Sequence, residues 1–377
     1  MDLTVICTYR CNSRCSTCNI WMHPTHPTED ITLDVLEKIP GGIDNLNITG
    51  GEPTLRNDLA EMVDVLHPKA HKLEISSNGM DPQRLETIIK KYPDIKVRFS
   101  LDGSRQVNDA IRGEVNGFQT KLNGLRRLKE LGGCDLGFAI TIQDNNIQDL
   151  PYLYEITREL GVELATSTLH NGFQFHKNDN YPYDRQRVAR GIEDLIVSML
   201  KTGSIKNWFR AYLNLGLMGK ILGNDRLIPC TAATDFAFVD PWSDVYACNV
   251  RSDLLIGNLK TQGWPEIYHG ELAEKIRHGV AACMQNCWMV GSARTAIRDP
   301  ILTRLPKFKP LWWVMVNRLR VLIGMSIPFE KYVNFSNAWD HPSGVRRVSY
   351  LHANAVRRVL HSEQNGHYDQ FGDFFNC

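Results

Sequence analysis

An α/β fold is what this 377-residue sequence predicts: a series of parallel βαβ units, then a small cysteine-rich α+β unit, then a helical extension. Strand-like and helix-like stretches alternate from residue 3 to residue 168, the pattern that builds a parallel sheet. Residues suited to chemistry cluster where the strand-like stretches end. A second group of cysteines follows between residues 230 and 287, amid hairpin and helix patterning.

Residues 3–8 (Leu-Thr-Val-Ile-Cys-Thr) read as a short buried strand. Further strands are predicted at 45–49, 72–76, 95–101, 135–142 and 162–168. Helices at 31–38, 57–67, 82–91, 117–131 and 147–160 carry apolar residues three or four apart. Asp149 is read as the N-cap of the last helix, with Pro151 in its first turn. Gly132-Gly133 ends the helix before it. Two more helices, 183–202 and 205–222, lead away from the repeat.

The length suits about two or three domains, with boundaries expected at 1–205, 206–295 and 296–377. With 43 Lys and Arg against 42 Asp and Glu there is no global field to steer nucleic acid. Ten cysteines, most of them in local groups, suit metal or cluster ligation in a reducing cytosol. No signal peptide precedes the first strand, and no apolar run reaches transmembrane length, so a cytoplasmic location is expected.

The most informative residues are Cys11, Cys15 and Cys18, on one loop after the first strand. Three thiolates at this spacing suit a [4Fe–4S] cube, holding three irons and leaving the fourth open. Structural zinc draws four N/S ligands from paired units, and no fourth Cys or His lies at that spacing. After the second strand comes Gly50-Gly51-Glu52-Pro53, where glycines admit close approach of a ligand and Glu52 can accept from an ammonium. Ser76-Ser77-Asn78-Gly79 closes the third strand with turn-forming residues. Ser100-Leu101-Asp102-Gly103 closes the fourth. Arg112 offers parallel donors suited to a carboxylate, the plainer reading being a surface salt bridge.

Taken together these motifs resemble the radical S-adenosylmethionine (SAM) superfamily. The resemblance implies an open, partial (βα)6 TIM-like barrel, with chemistry at the C-terminal ends of the strands. It implies that the open iron chelates SAM, and that Gly50, Gly51 and Glu52 bind its amine. Ser77, Asn78 and Ser100 are then placed near the ribose and carboxylate, and Arg112 on the carboxylate. Thr17 departs from the family pattern, which has an aromatic before the last cysteine, so adenine packing falls to Tyr9 or Ile20.

The second group is Cys230, Cys248, Cys283 and Cys287. Phe238 to Cys248 reads as a hairpin turning at Pro241-Trp242-Ser243-Asp244, followed by Ile256-Gly257-Asn258-Leu259 and a helix from Trp264 to about His278. This order resembles the auxiliary-cluster domains called SPASM and, in the shorter form, twitch. Four cysteines are enough for one cluster, so the twitch form matches better. Ser243 stands where that hairpin usually has glycine. One zinc on the same four thiolates is the alternative. Cys7 and Cys134 are read as small buried apolar residues, and Cys377 as inert.

Residues 301–377 carry ten Lys and Arg against five Asp and Glu. Within them, 307–323 reads as an aromatic, basic helix, and 346–360 as a second basic helix. Docking on the barrel is the plain reading; peripheral membrane contact, or capture of a phosphate-bearing substrate, is the sharper one.

The resemblance implies an oxidoreductase-type enzyme with two [4Fe–4S] clusters and SAM, reduced by a flavodoxin- or ferredoxin-like donor. Reductive cleavage of SAM would give a 5′-deoxyadenosyl radical that abstracts hydrogen from substrate. A small polar substrate, sugar- or cyclitol-like, is expected, since only about ten residues precede Cys11 and leave no room for a leader-binding domain. The alternatives are a maturase of a ribosomally made peptide served by a separate leader-binding partner, and a non-catalytic iron–sulfur scaffold.

Overall fold

Six short stretches form the parallel strands β1 (Asp2–Ile6), β2 (Asn45–Thr49), β3 (Leu73–Ser77), β4 (Lys96–Ser100), β5 (Asp135–Ile142) and β6 (Glu163–Thr168). They lie side by side in chain order, each parallel to the next. Right-handed crossovers that always add the next strand on the same side put the helices on one face. The sheet therefore curls around its other face as a partial barrel. This is the computed structural model of the chain, and it describes residues 1–281, 283, 285–298 and 308–336.

The crossovers carry α1 (Leu33–Leu36), α2 (Leu59–Leu66), α3 (Glu86–Lys91), α4 (Arg105–Arg112), α5 (Gly117–Glu130) and α6 (Leu150–Glu159). Helix α4 was not among the expected elements, because Val107 and Ile111 are its only large apolar residues. It is stopped by Gly113 in the left-handed region at φ 59°. Asp149 does not cap α6: its Oδ2 instead accepts from the Ser104 amide at 2.7 Å, before α4.

Beyond the barrel the expected helix 183–202 is two helices, α7 (Arg185–Gly191) and α8 (Glu193–Lys201), followed by α9 (Ile205–Ile221). Strand β7 (Phe236–Val239) then pairs parallel with β1 on its free edge, and β8 (Asp244–Tyr246) and β9 (Leu255–Asn258) continue antiparallel. The cysteine-rich unit and the barrel thus share one sheet, ordered β6-β5-β4-β3-β2-β1-β7-β8-β9. The expected helix after Trp264 divides at Gly270 into α10 (Trp264–His269) and α11 (Glu271–Ala281). A Cβ on Gly270 would lie 2.4 Å from the Glu266 carbonyl oxygen. Helix α12 (Val290–Arg298) follows.

Helix α13 (Phe308–Leu322) docks on α8 and α9. Trp313, Val314 and Asn317 face inward, and Arg318 donates to the Thr202 carbonyl at 2.7 Å while lying over the Trp208 ring. Its other face leaves Trp312, Met315, Leu319 and Leu322 exposed. The second basic helix, 346–360, and Cys377 lie outside the described residues. Among those described, no helix is long and apolar enough to cross a membrane.

The main core fills the space between sheet and helices. At the barrel's N-terminal end, charge is neutralised internally: Arg98 and Arg210 both pair with Glu163, at 2.8 and 2.6 Å. A second, smaller apolar cluster (Ile6, Tyr9, Ile20, Phe236, Phe238 and Tyr246) packs against Cys11 and Cys18.

Candidate active site

The first cysteine loop leaves β1 and is held on three sides. On one side the Gly51 amide donates to Thr8 O at 2.7 Å and the Glu52 amide to Arg10 O at 2.8 Å. A Cβ on Gly50 would stand 2.5 Å from Thr8 O, and one on Gly51 2.2 Å from Arg10 O. These glycines therefore let two backbone segments touch, a requirement apart from ligand access. On the second side, the Arg14 and Ser16 amides donate to the Arg112 and Ile111 carbonyls at 2.9 and 2.8 Å, satisfying the last turn of α4. On the third, Asn78 Nδ2 donates to Asn12 Oδ1 and Ser13 Oγ at 2.6 and 2.9 Å.

Cys11, Cys15 and Cys18 are free thiols, each partly exposed. Burial pushes Cys11 and Cys18 up to about 12 and raises Cys15, while Arg112 pulls all three back. Cys15 bears electrostatically on both of the others, so the three share one site. Soft thiolate donors of this kind fit an iron–sulfur cube. Among the described residues no three His, Cys, Asp or Glu side chains converge on a single ion-sized point. A zinc needs that convergence, at about 2.3 Å from each sulfur. A cube carries one iron per thiolate and does not.

The residues expected around SAM divide into two kinds. Glu52 is fully buried, and its carboxylate accepts from Thr54 N, Thr54 Oγ1, Ser77 Oγ and Asn78 N at 3.0, 2.7, 2.8 and 2.5 Å. Burial raises its pKa against those four donors. The Glu52 side chain thus joins the ends of β2 and β3, three of the four donors lying on Oε1 and one on Oε2. Ser77 and Asn78 are likewise engaged within the protein, Ser77 Oγ also accepting from Gly79 N and Asn78 Oδ1 from Met80 N. Ser100 differs: it is partly exposed, and its hydroxyl makes no hydrogen bond among the described residues.

Arg112 is no surface salt bridge. Its side chain is 12% exposed, with Nη1 2.8 Å from Asp102 and Nε 3.2 Å from Glu114. Glu114 also accepts from Ser13 Oγ at 2.7 Å and pairs with Lys121, which is wholly buried. Two cations thus face two carboxylates beneath the loop. Burial opposes the charge on Arg112, but Cys15, Asp102 and Glu114 outweigh it and hold the guanidinium protonated. Of its five N–H groups, the two on Nη2 are among those not spent here. Asp102, Glu114 and Lys121 were not singled out from the sequence. The signal was there for Lys121, which sits at an inward position of α5 among Phe118, Leu122 and Leu125.

The second cysteine group also comes together. Cys287 and Cys283 raise Cys230, while Cys287 and Cys230 raise Cys248, in each case after burial itself. Cys287 is placed by its neighbour Trp288, which is 1% exposed and donates from Nε1 to Leu213 O at 2.8 Å on α9. Arg226 Nη1 lies 3.9 Å from Cys287 Sγ. In the hairpin, Ser243 adopts φ 77° with its hydroxyl buried and, among the described residues, unpartnered.

Tyr9 and Ile20, the two residues considered for adenine, are both buried in the small apolar cluster that packs against Cys11 and Cys18. Tyr9 packs edge-on to Trp242 of the hairpin and to His176, with centroids 5.1 and 5.9 Å apart. Cys7 is buried as expected, but Cys134 is exposed, its thiol 2.9 Å from Pro93 O.

The sequence profile of the Radical SAM superfamily matches residues 5–157, and that of the SPASM iron–sulfur cluster-binding domain matches 230–289. The mycofactocin maturase MftC of Mycolicibacterium smegmatis is 28% identical over 296 residues, which cover 74% of this chain and 73% of that one. The Fe-coproporphyrin III synthase of Methanosarcina barkeri is 31% identical over 160 residues, 40% of this chain and 39% of its own. Streptococcus suis SuiB bound to precursor peptide SuiA has the same fold, with a TM-score of 0.53 at 15% identity over 81% of this chain and 74% of that one. SAM and a [4Fe–4S] cluster come with the first profile, and auxiliary iron–sulfur ligation with the second. The chain belongs to the radical SAM superfamily and carries a C-terminal SPASM-type cluster-binding domain.

Proposed function

We propose that this enzyme is a maturase that modifies a ribosomally made peptide, in place of the sugar- or cyclitol-like substrate expected from the sequence. The observation that carries this reading is the similarity to a named maturase along about three quarters of both chains. The precursor peptide held by a protein of the same fold supports it. The similarity to the porphyrin-acting synthase covers less than half of this chain.

In this reading Cys11, Cys15 and Cys18 hold the SAM-binding cluster, and Cys230, Cys248, Cys283 and Cys287 one auxiliary cluster. When bound, SAM supplies a 5′-deoxyadenosyl radical for hydrogen abstraction. The backbone of Gly50 and Gly51, the Ser100 hydroxyl and the free Nη2 of Arg112 orient SAM, while Glu52, Ser77 and Asn78 position those groups. Tyr9, Phe238 and Tyr246 form an apolar wall beside Cys11 and Cys18 that keeps water from the reacting atoms. A flavodoxin- or ferredoxin-like protein supplies electrons, and a separate leader-binding protein presents the peptide.

The test is anaerobic incubation of the reconstituted enzyme with SAM and dithionite, adding either a short precursor peptide encoded beside the gene or sugar nucleotides. The expected result is 5′-deoxyadenosine with a mass change in the peptide. Turnover of sugar nucleotides alone would overturn the maturase reading, and no 5′-deoxyadenosine under any condition would favour a scaffold.

A further inference from the structure

Large apolar side chains exposed singly are normal on a protein surface, but here they are concentrated. Of the thirteen exposed among the described residues, seven fall between 311 and 325. Trp312, Met315, Leu319 and Leu322 recur three or four residues apart on α13, with Leu311 beside them, so they make one stripe along its outer face. The Ile323 amide still donates to Leu319 O at 3.1 Å, so Ile323 continues that face beyond the helix, and Met325 follows. Trp312 and Ile323, toward the two ends, are 69% and 62% exposed.

The stripe is held out on a fixed frame. Trp313, Val314 and Val321 on the opposite face are buried, and α13 packs on α8 and α9. Its end is closed by Gly324 at φ 78°, with the Gly324 and Met325 amides donating to Val321 O and Arg320 O at 3.2 and 2.8 Å. A contiguous apolar face presented in this way marks an interaction surface.

Charge decides between the partners such a face could meet. From residue 308 to residue 329 the sequence has Lys309, Arg318 and Arg320 and no acidic residue. Arg318 is committed to the Thr202 carbonyl and the Trp208 ring. Arg320, one residue from Leu319, donates to Ser326 O at 3.1 Å, and Lys331 is exposed; among the described residues neither pairs with a carboxylate. Glu330, the first acidic residue to follow, lies 3.0 Å from Arg190. The apolar stripe is thus accompanied by cations that nothing nearby neutralises. Apart from the Trp312 indole N–H, its side chains offer no N–H or O–H group. A protein interface uses about one hydrogen bond per 100–200 Å². An anionic bilayer surface asks only for apolar side chains to insert and cations for its headgroups.

We propose that the outer face of α13 seats the enzyme on an anionic phospholipid surface. Leu319, Leu322 and Ile323 enter the boundary between headgroups and acyl chains, Trp312 lies at its level, and Arg320 and Lys331 meet the phosphates. The helix lies on the membrane and does not cross it. This seating is independent of which substrate the enzyme takes.

Flotation of the reconstituted full chain tests it with two kinds of vesicle: phosphatidylcholine alone, and equal parts phosphatidylcholine and phosphatidylglycerol. Binding to the mixed vesicles should be at least about tenfold tighter, and should weaken as salt screens the exposed charges. Leu319→Glu and, independently, Ile323→Glu should each remove most of it, while circular dichroism, iron content and 5′-deoxyadenosine formation stay as in wild type. An Arg320→Gln/Lys331→Gln variant should lose most of the preference for the anionic vesicles. Binding to neither vesicle, equal binding to both, wild-type binding by both glutamate variants, or an unchanged preference in the glutamine variant would overturn the proposal. So would self-association in sedimentation velocity that Ile323→Glu abolishes, because the stripe would then face a second copy of the chain.

Discussion

Arg112 joins the thiols above it to two carboxylates below, at 2.8 and 3.2 Å. Removing one partner of a buried ion pair typically costs about 3–5 kcal/mol, so Arg112→Ala will lose stability as well as SAM. Arg112→Lys separates the two roles, because it keeps the charge but not the planar fork. It should retain most of the denaturation midpoint and bind SAM roughly tenfold more weakly; wild-type SAM affinity would leave Arg112 a purely structural residue. The thiols make a pH prediction. Cys11 and Cys18 are raised from 9.0 to about 12, so the folded chain without iron favours their protonated forms. That contribution is complete below about pH 9 and is lost as pH rises toward 12. Urea midpoints of the iron-free protein should thus fall above pH 9, and less so in a Cys11/Cys18→Ala variant. Iron binding must release those protons, so reconstitution at pH 9 should outpace that at pH 7. Ser243 holds φ 77° without being glycine, a conformation that costs an L-residue about 1–2 kcal/mol. Ser243→Gly should therefore raise the unfolding free energy by about 1 kcal/mol, read as a higher midpoint at an unchanged denaturant slope; a lowered midpoint would refute the strain.

At the scale of elements, two contacts place the two cysteine groups. Helix α4 ends on carbonyls that the first cysteine loop satisfies, so the loop and helix cap each other. Helix α9 does the corresponding work for the second group through Gly216. A Cβ there would stand 1.8 Å from the Trp288 ring, next to Cys287. Overpacking of this kind costs about 1–3 kcal/mol when the backbone can shift, and here it must move Trp288. Gly216→Ala should therefore lose auxiliary iron first, falling from about eight irons per chain toward four, at four per cube, while 5′-deoxyadenosine formation without substrate persists. Unchanged iron content in that variant would mean that Trp288 does not position Cys287. The inner face of α13 is committed to α8 and α9 through Trp313, while Trp312 of the same aromatic run stays exposed.

For the whole molecule, the pairing of β7 with β1 makes barrel and cysteine-rich unit one sheet, while the cluster loops emerge separately from it. Replacing Cys11, Cys15 and Cys18 with Ala should then leave the fold and about four irons, and abolish 5′-deoxyadenosine; wild-type formation in that variant would refute the cluster assignment. The strands, most helices and both cysteine groups were legible in the sequence, because apolar periodicity and ligand spacing are local properties of the chain. Helix α4 was not, since a helix with two large apolar residues is stabilised by what caps it. Nor were the roles of Glu52 and Arg112: a motif shows which group is present, but whether a buried carboxylate faces a ligand or Thr54, Ser77 and Asn78 depends on segments far apart in the chain. The same holds for Lys121, whose buried charge meets Glu114 only in the folded chain. Sequence alone determined the family, the six parallel strands and the two groups of cysteines. Only the tertiary structure decided which polar groups are spent inside the protein and which are left for a ligand, because desolvation and pairing are set by neighbours that the chain brings together only when it folds.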